Sequence, residues 1–137
     1  MALICDTGPL YAALDRSDAD HSACAALLAE ARDPIVVPAP VVVELEWLAS
    51  SKLDPRAFLA FLADVEADRI KVAELERLDY IRIGQLTERY IDLPLGFVDA
   101  AVLAVLERFG ERRLATLDHR HFSVVRPRHV ASLELLP

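Results

Sequence analysis

Ala2-Leu3-Ile4-Cys5-Asp6-Thr7-Gly8-Pro9 decides how the rest of the chain is read. Four apolar residues run as a short strand, Asp6 stops them, and Thr7-Gly8-Pro9 turns the chain. Pro9 is placed to open a helix, in the first turn, where a missing N–H has no intrahelical partner to lose. An acid therefore stands just beyond the carboxyl end of an apolar strand. Where strands alternate with helices, that edge of the sheet is where ligands collect.

The alternation continues along the chain. Asp20 or His21 to Ala31 reads as a helix, and Ile35-Val36-Val37 as a second strand, punctuated by Pro38 and Pro40. Val41 to Ser50 is expected to be helical despite its valines. Asp54-Pro55 is an N-cap and first-turn pair for a further helix reaching about Val65. Arg69-Ile70-Lys71-Val72 alternates as a strand does. Leu75 to Tyr90 carries Leu78, Ile81, Leu86 and Tyr90 at helical spacing, and Asp92-Leu93-Pro94 breaks it. A helix from Gly96 or Phe97 to Phe109 is apolar nearly all round, which predicts burial, and Gly110 ends it. Arg113-Leu114-Ala115-Thr116, Val124-Val125 and Leu133-Glu134-Leu135 are read as strands. The expected fold is α/β: a three-layer α/β/α sandwich around a central, mainly parallel sheet, with residues 1–137 in a single domain.

Composition narrows the function classes. The chain has 137 residues, 54% of them hydrophobic, and a mean hydropathy of +0.28, so a substantial core is expected. No apolar run reaches the length of a membrane span. The N-terminus has no basic segment, and Asp6 interrupts its apolar run, so a signal peptide is not expected. Cys5 and Cys24 give neither a disulfide framework nor a CxxC pair, which fits a reducing cytoplasm. The net charge of −7 argues against a general nucleic-acid coat. The charge is uneven, however. Residues 111–137 hold Arg112, Arg113, Arg120, Arg126 and Arg128 against Glu111, Asp118 and Glu134, a balance of +2 that leaves −9 for the first 110 residues.

Four acids carry the chemistry: Asp6, Glu44, Asp99 and Asp118. Each follows an apolar strand-like run or opens a helix. Asp6 alone could be a helix cap, and Asp118 alone a turn residue. Asp99 is harder to dismiss. It lies in the first turn of a helix with Val102, Leu103 and Leu106 on its own face. A helix N-terminus returns at most about 2 kcal/mol to an anion, less than the several kcal/mol of burying it unpaired. Glu44 and Glu46 sit two residues apart and face different ways, so one is free to point inward. Four converging carboxylates require a positive partner. Oxygen donors without a nearby thiolate favour Mg²⁺ or Mn²⁺ over zinc. His119 and His121, spaced i and i+2, do not match a helical zinc pair and read as a surface turn. There is no GxxxxGK[ST] or GxGxxG motif, and Ser50 and Ser51 have no His/Asp context. A receiver-like phosphoacceptor domain would need a site lysine, and Lys52 and Lys71 are poorly placed for it.

With these residues in view, the chain resembles PIN domains, specifically the VapC-type toxin ribonucleases of bacterial toxin–antitoxin pairs. The matching segments are Ile4-Cys5-Asp6-Thr7, Val42-Val43-Glu44-Leu45, Leu95-Gly96-Phe97-Val98-Asp99-Ala100-Ala101 and Ala115-Thr116-Leu117-Asp118-His119-Arg120-His121-Phe122. They span nearly the whole chain in the family's order. The resemblance implies a metal-dependent endoribonuclease that hydrolyses RNA phosphodiester bonds with a metal-activated water. It implies an acidic quartet of Asp6, Glu44 (rather than Glu46), Asp99 and Asp118 holding Mg²⁺ or Mn²⁺, with Thr116 as a supporting hydroxyl. It also implies RNA as substrate, a cognate antitoxin protein as partner and a homodimer, while the cysteine usage and the short apolar runs point to a cytoplasmic location and no membrane association. One position departs: many relatives carry an acid three residues before Asp99, and here it is Gly96. That departure favours the alternative, a catalytically weak or inactive PIN-like interaction module. Trp47, Leu48, Phe58, Leu59, Phe61 and Leu62 cannot all face inward, so part of this group is expected to cover a partner.

Overall fold

The computed structural model describes residues 1–137. Twelve elements follow one another: β1 (Leu3–Cys5), α1 (Thr7–Leu14), α2 (His21–Glu30), β2 (Ile35–Pro38), α3 (Ala39–Lys52), α4 (Arg56–Glu66), β3 (Ile70–Ala73), α5 (Arg77–Arg89), α6 (Phe97–Phe109), β4 (Arg113–Ala115), α7 (His119–Val124) and β5 (Glu134–Leu136). The five strands form one sheet in the order β3-β2-β1-β4-β5. Every ladder in it is parallel. Helices cover both faces, as the expected three-layer α/β/α sandwich requires. No helix is long and apolar enough to cross a membrane.

The strand order explains the burial pattern. β1 is the middle strand, and Leu3, Ile4 and Cys5 are completely buried. Strands covered on both faces read as unbroken apolar runs, which is how β1 and β2 read. α6 is the buried helix: Ala100 to Leu106 are all inaccessible or nearly so. It ends at Gly110, whose φ of 67° is open to glycine at no steric cost.

The order also fixes where a site can form. The chain steps from β1 to β2 and β3 on one side, then crosses to β4 and β5 on the other. The reversal lies between β1 and β4, and a cleft opens there beyond their carboxyl ends. Asp6 and Thr116 are the first residues past those two ends.

Two helices start off their expected residues, α1 at Thr7 rather than Pro9 and α5 at Arg77 rather than Leu75, and three further expectations need correction. Val124-Val125 is not a strand: Val124 closes α7 and Val125 caps it. The Asp118 carboxylate accepts from the His121 N–H, and Phe122 and Val125 are buried in the core. Capping and two anchors spaced i and i+3 outweigh the β-preference of a valine pair. α3 begins at Ala39, not Val41, with Pro40 tolerated in its first turn. α4 begins at Arg56, after Pro55, while the Asp54 carboxylate still accepts from the Arg56 N–H at 2.9 Å.

Candidate active site

Asp6 reaches the cleft because β1 ends there. Its N–H donates to the Ala115 carbonyl at 2.9 Å, which ties the end of β1 to β4. Its carboxylate is held by two donors, the Thr7 N–H at 2.8 Å and the Thr116 hydroxyl at 3.0 Å. Asp6 is therefore the N-cap of α1 and a wall of the cleft at once. Thr116, fully buried, also accepts from the Asp118 N–H at 3.0 Å. One hydroxyl thus orients one acid and the backbone of another.

Asp118 is the N-cap of α7. Oδ1 accepts from the His121 N–H at 3.0 Å, and Oδ2 lies 2.5 Å from His121 Nδ1. Asp99 stands in the first turn of α6, half-buried, with the buried run Ala100–Leu106 behind it. Glu44 lies in the second turn of α3 and lines the same cavity, while Glu46 is exposed and accepts from Ser50. The inward acid of that pair is Glu44. The cavity is about 460 Å³ and is lined by Asp6, Thr7, Gly8, Glu44, Asp99 and Asp118, with Leu48 and Leu117. A methyl group on Gly8 would sit 3.3 Å from Leu117 Cβ, so glycine lets α1 close against the loop that carries Asp118.

The electrostatics are unusual. No arginine or lysine lies within 4 Å of any of the four carboxylates, and only the His121 imidazole pairs with one of them. Burial pushes the Asp6 carboxyl up to about 6, opposed by its two hydrogen bonds and reinforced by Asp99 and Glu44. Burial, then the negative charge of Asp118, raises Asp99 as well. Asp118 is held below the usual carboxylate range: burial alone would raise it, but the hydrogen bonds and charge of His121, with Arg120 beyond, prevail.

A divalent cation fits this cavity on two observations. Thr7 Oγ1 is buried in its wall and has no hydrogen-bond partner, a group that a ligand or its water would satisfy. In addition, Asp99, Asp118 and His121 each present a donor atom within 4.8 Å of the others. Asp6, Glu44, Asp99, Asp118 and Thr116, all expected from sequence, come together. Sequence reasoning missed Thr7 and His121. The readable signal for His121 was its spacing from Asp118, i and i+3 at a helix start, rather than its spacing from His119. Cys5, adjacent to Asp6, takes no part: burial pushes its thiol far up.

Known proteins share this fold. The model of the PIN domain family matches residues 3–126. Ribonuclease VapC26 of Mycobacterium tuberculosis is 31% identical over 125 residues, 91% of this chain and 93% of that protein. Among solved structures, VapC20 of the same organism, described as a sarcin–ricin-loop-cleaving toxin, superposes with a TM-score of 0.83 at 22% identity, over 94% of this chain and 98% of that one. VapBC2 of Rickettsia felis, solved with a fragment of its promoter DNA, matches with a TM-score of 0.70 at 18% identity over the whole of both chains.

Proposed function

The chain belongs to the PIN-domain family, and from that premise we propose that it is a metal-dependent endoribonuclease, the toxin of a toxin–antitoxin pair. The observation that carries the reading is the convergence of four carboxylates without an arginine or lysine among them. Asp6, Asp99 and Asp118, with Glu44 completing the set, would hold one or two Mg²⁺ or Mn²⁺ ions. When bound, such an ion activates the attacking water and offsets charge that develops on the phosphate.

The protein's own part is to assemble and orient. Thr116 fixes the Asp6 rotamer and the Asp118 backbone together, so the ends of β1 and β4 move as one unit. α6 delivers Asp99 from a helix too buried to shift. Preorganised oxygens need no rearrangement when charge develops, which is the main source of electrostatic catalysis. For the flanking RNA backbone the arginines are not equivalent. Arg113 is engaged with Asp33, and Arg128 with Gln85. Arg112, Arg120 and Arg126 are exposed, and Arg120, on α7 beside the cleft, is the one we place against a phosphate.

The proposed partners are RNA, a cognate antitoxin protein and a second copy of the chain. Of the apolar group around α3 and α4, Phe61 belongs to the core and Phe58 packs against it, whereas Trp47, Leu59 and Leu62 are exposed. These three are the residues available to an antitoxin. Free, buried Cys5 and Cys24 suit the reducing cytoplasm in which we place the protein. The test is cleavage of total cellular RNA with ends mapped, with and without EDTA, and with Mg²⁺ or Mn²⁺ restored. Discrete cuts that vanish in EDTA and return with metal are expected. Uncut RNA at every metal concentration would leave the inactive interaction module as the correct reading.

A further inference from the structure

The geometry points to His121 as a direct nitrogen ligand of the metal, which makes the centre a mixed nitrogen–oxygen site that selects Mn²⁺ over Mg²⁺. The inference rests on the reading of this cavity as a divalent-metal site and adds the donor that sets its preference. Asp118 does not need the imidazole for its orientation. Its Oδ1 already accepts from the His121 N–H, and its own N–H is held by Thr116. The imidazole instead sits against Oδ2, the oxygen left free, with Nδ1 at 2.5 Å. Asp99 completes a set of three donors, all within 4.8 Å of one another.

Donors around one octahedral ion with bonds of about 2.1 Å stand about 3 to 4.2 Å apart. The observed spread therefore closes on a single ion with shifts of about half an ångström. The backbone that carries the imidazole is fixed by the same cap that fixes Asp118, and Phe122 anchors the next position at 2% exposure. The ring is only partly covered, its side chain 24% exposed, so a cation can reach it without unfolding α7.

The consequence is selectivity. Mg²⁺ takes oxygen ligands and keeps its waters. Imidazole suits first-row transition ions better than it suits Mg²⁺, and Mn²⁺ is a member of that series at home in a carboxylate-rich shell. An imidazole added to the four carboxylates therefore favours Mn²⁺, whereas carboxylates alone would leave the two ions closely matched.

The experiment uses the full-length protein loaded with one equivalent of Mn²⁺, read by electron spin-echo modulation for nitrogen coupled to the ion, alongside Mn²⁺ and Mg²⁺ affinities from calorimetry. Directly coordinated nitrogen is expected in the wild type and in His119→Gln, and its loss in His121→Gln. Mn²⁺ affinity should fall about tenfold or more in His121→Gln, with Mg²⁺ affinity changed less than about threefold. Glutamine retains a hydrogen-bond donor for Asp118, so a merely orienting histidine would be replaced by it without loss. Bound Mn²⁺ without coupled nitrogen in the wild type, or unchanged Mn²⁺ affinity in His121→Gln, would overturn the inference and leave the metal-dependent reading standing. Failure of both ions to bind the wild type would overturn the inference and that reading together. The wild-type spectrum decides the ligand even if the variant does not fold.

Discussion

Two parts of this molecule hold several acids in little water, and they treat them in opposite ways. Between α5 and α6, Glu107 is clasped by Nε and Nη2 of Arg82, each at 2.8 Å, and accepts the Arg128 N–H at 3.0 Å. Asp79, 3% exposed, meets Arg108 Nε at 3.1 Å and the Glu76 N–H at 2.8 Å. Each acid there is met by an arginine: Arg82 serves Glu107, and Arg108 serves Asp79 and Glu76 together. In the β1–β4 cleft, Asp6 is nearly as buried at 7%, yet Asp6, Glu44 and Asp99 meet no cationic side chain, and Asp118 meets only an imidazole. The first arrangement staples two helices. The second leaves a negative well that only something from outside can fill. Burial of an acid is thus uninformative by itself, and what surrounds it separates scaffold from site.

The largest expected effect breaks the comparison at the cleft. Asp99→Asn keeps the shape and removes one charge. If the ion supplies several kcal/mol of transition-state stabilisation, RNA cleavage falls at least about a hundredfold, while thermal melting in EDTA stays level or rises, because a repelled charge is gone. Cleavage at the wild-type rate would deny Asp99 its role. The mirror experiment removes a cation from the paired region. Arg82→Ala strands Glu107 and should cost about 3 kcal/mol in urea denaturation. Glu107 lies two turns or more along α6 from Asp99, about 12 Å, so cleavage per folded molecule should remain within about twofold. A variant that lost activity without stability would reverse the division of labour between the two regions.

The sequence made one of these regions legible and not the other, for physical reasons. Asp6 and Asp118 were readable because a parallel sheet places ligands at the carboxyl ends of its strands, and both acids follow apolar strand-like runs directly. The family resemblance chose Glu44 over Glu46, and Glu44 is the one that lines the cavity. The α5–α6 network was invisible: Arg82 and Glu107 stand 25 residues apart, and two amphipathic helices admit many pairings until their packing angle is known. Val124-Val125 misled because local preference spoke for a strand while the deciding contacts, the Asp118 cap and the burial of Phe122, are set by the tertiary fold. His121 was set aside for the related reason that its partner is an acid in the preceding turn, not the other histidine.

A smaller effect sharpens the contrast through pH. Burial raises the Asp6 carboxyl to about 6 in the folded protein, against 3.8 ordinarily. The folded state therefore favours protonated Asp6. That contribution is complete below about pH 4 and is lost as pH climbs through 6, amounting to at most about 3 kcal/mol. In EDTA, wild-type stability should thus fall relative to Asp6→Asn between pH 4 and 6.5 and run parallel above it. Saturating divalent metal should remove the divergence. Parallel curves throughout in EDTA would mean that Asp6 is as well compensated as the acids between α5 and α6.

The smallest effect comes from adding an acid instead of removing one. Gly96 is the N-cap of α6, with an extended φ of −72° that any residue adopts. A Cβ there would lie 3.9 Å from Asp99 Oδ2, ordinary contact distance. Gly96→Asp therefore fits without strain. As an N-cap, Asp exceeds Gly by only a few tenths of a kcal/mol, and repulsion from Asp99 offsets that gain. Melting in EDTA should hardly move. With excess Mg²⁺ or Mn²⁺ the added oxygen has a cation to share, and the metal-induced rise in melting temperature should exceed that of the wild type, as for a few-fold tighter site. The same addition beside Glu107 has no cation to recruit, since Arg82 is already committed, and only destabilises. If Gly96→Asp were destabilised equally with and without metal, the cleft would be behaving as crowded scaffold, and the distinction between the two acidic regions would fail where it is easiest to test.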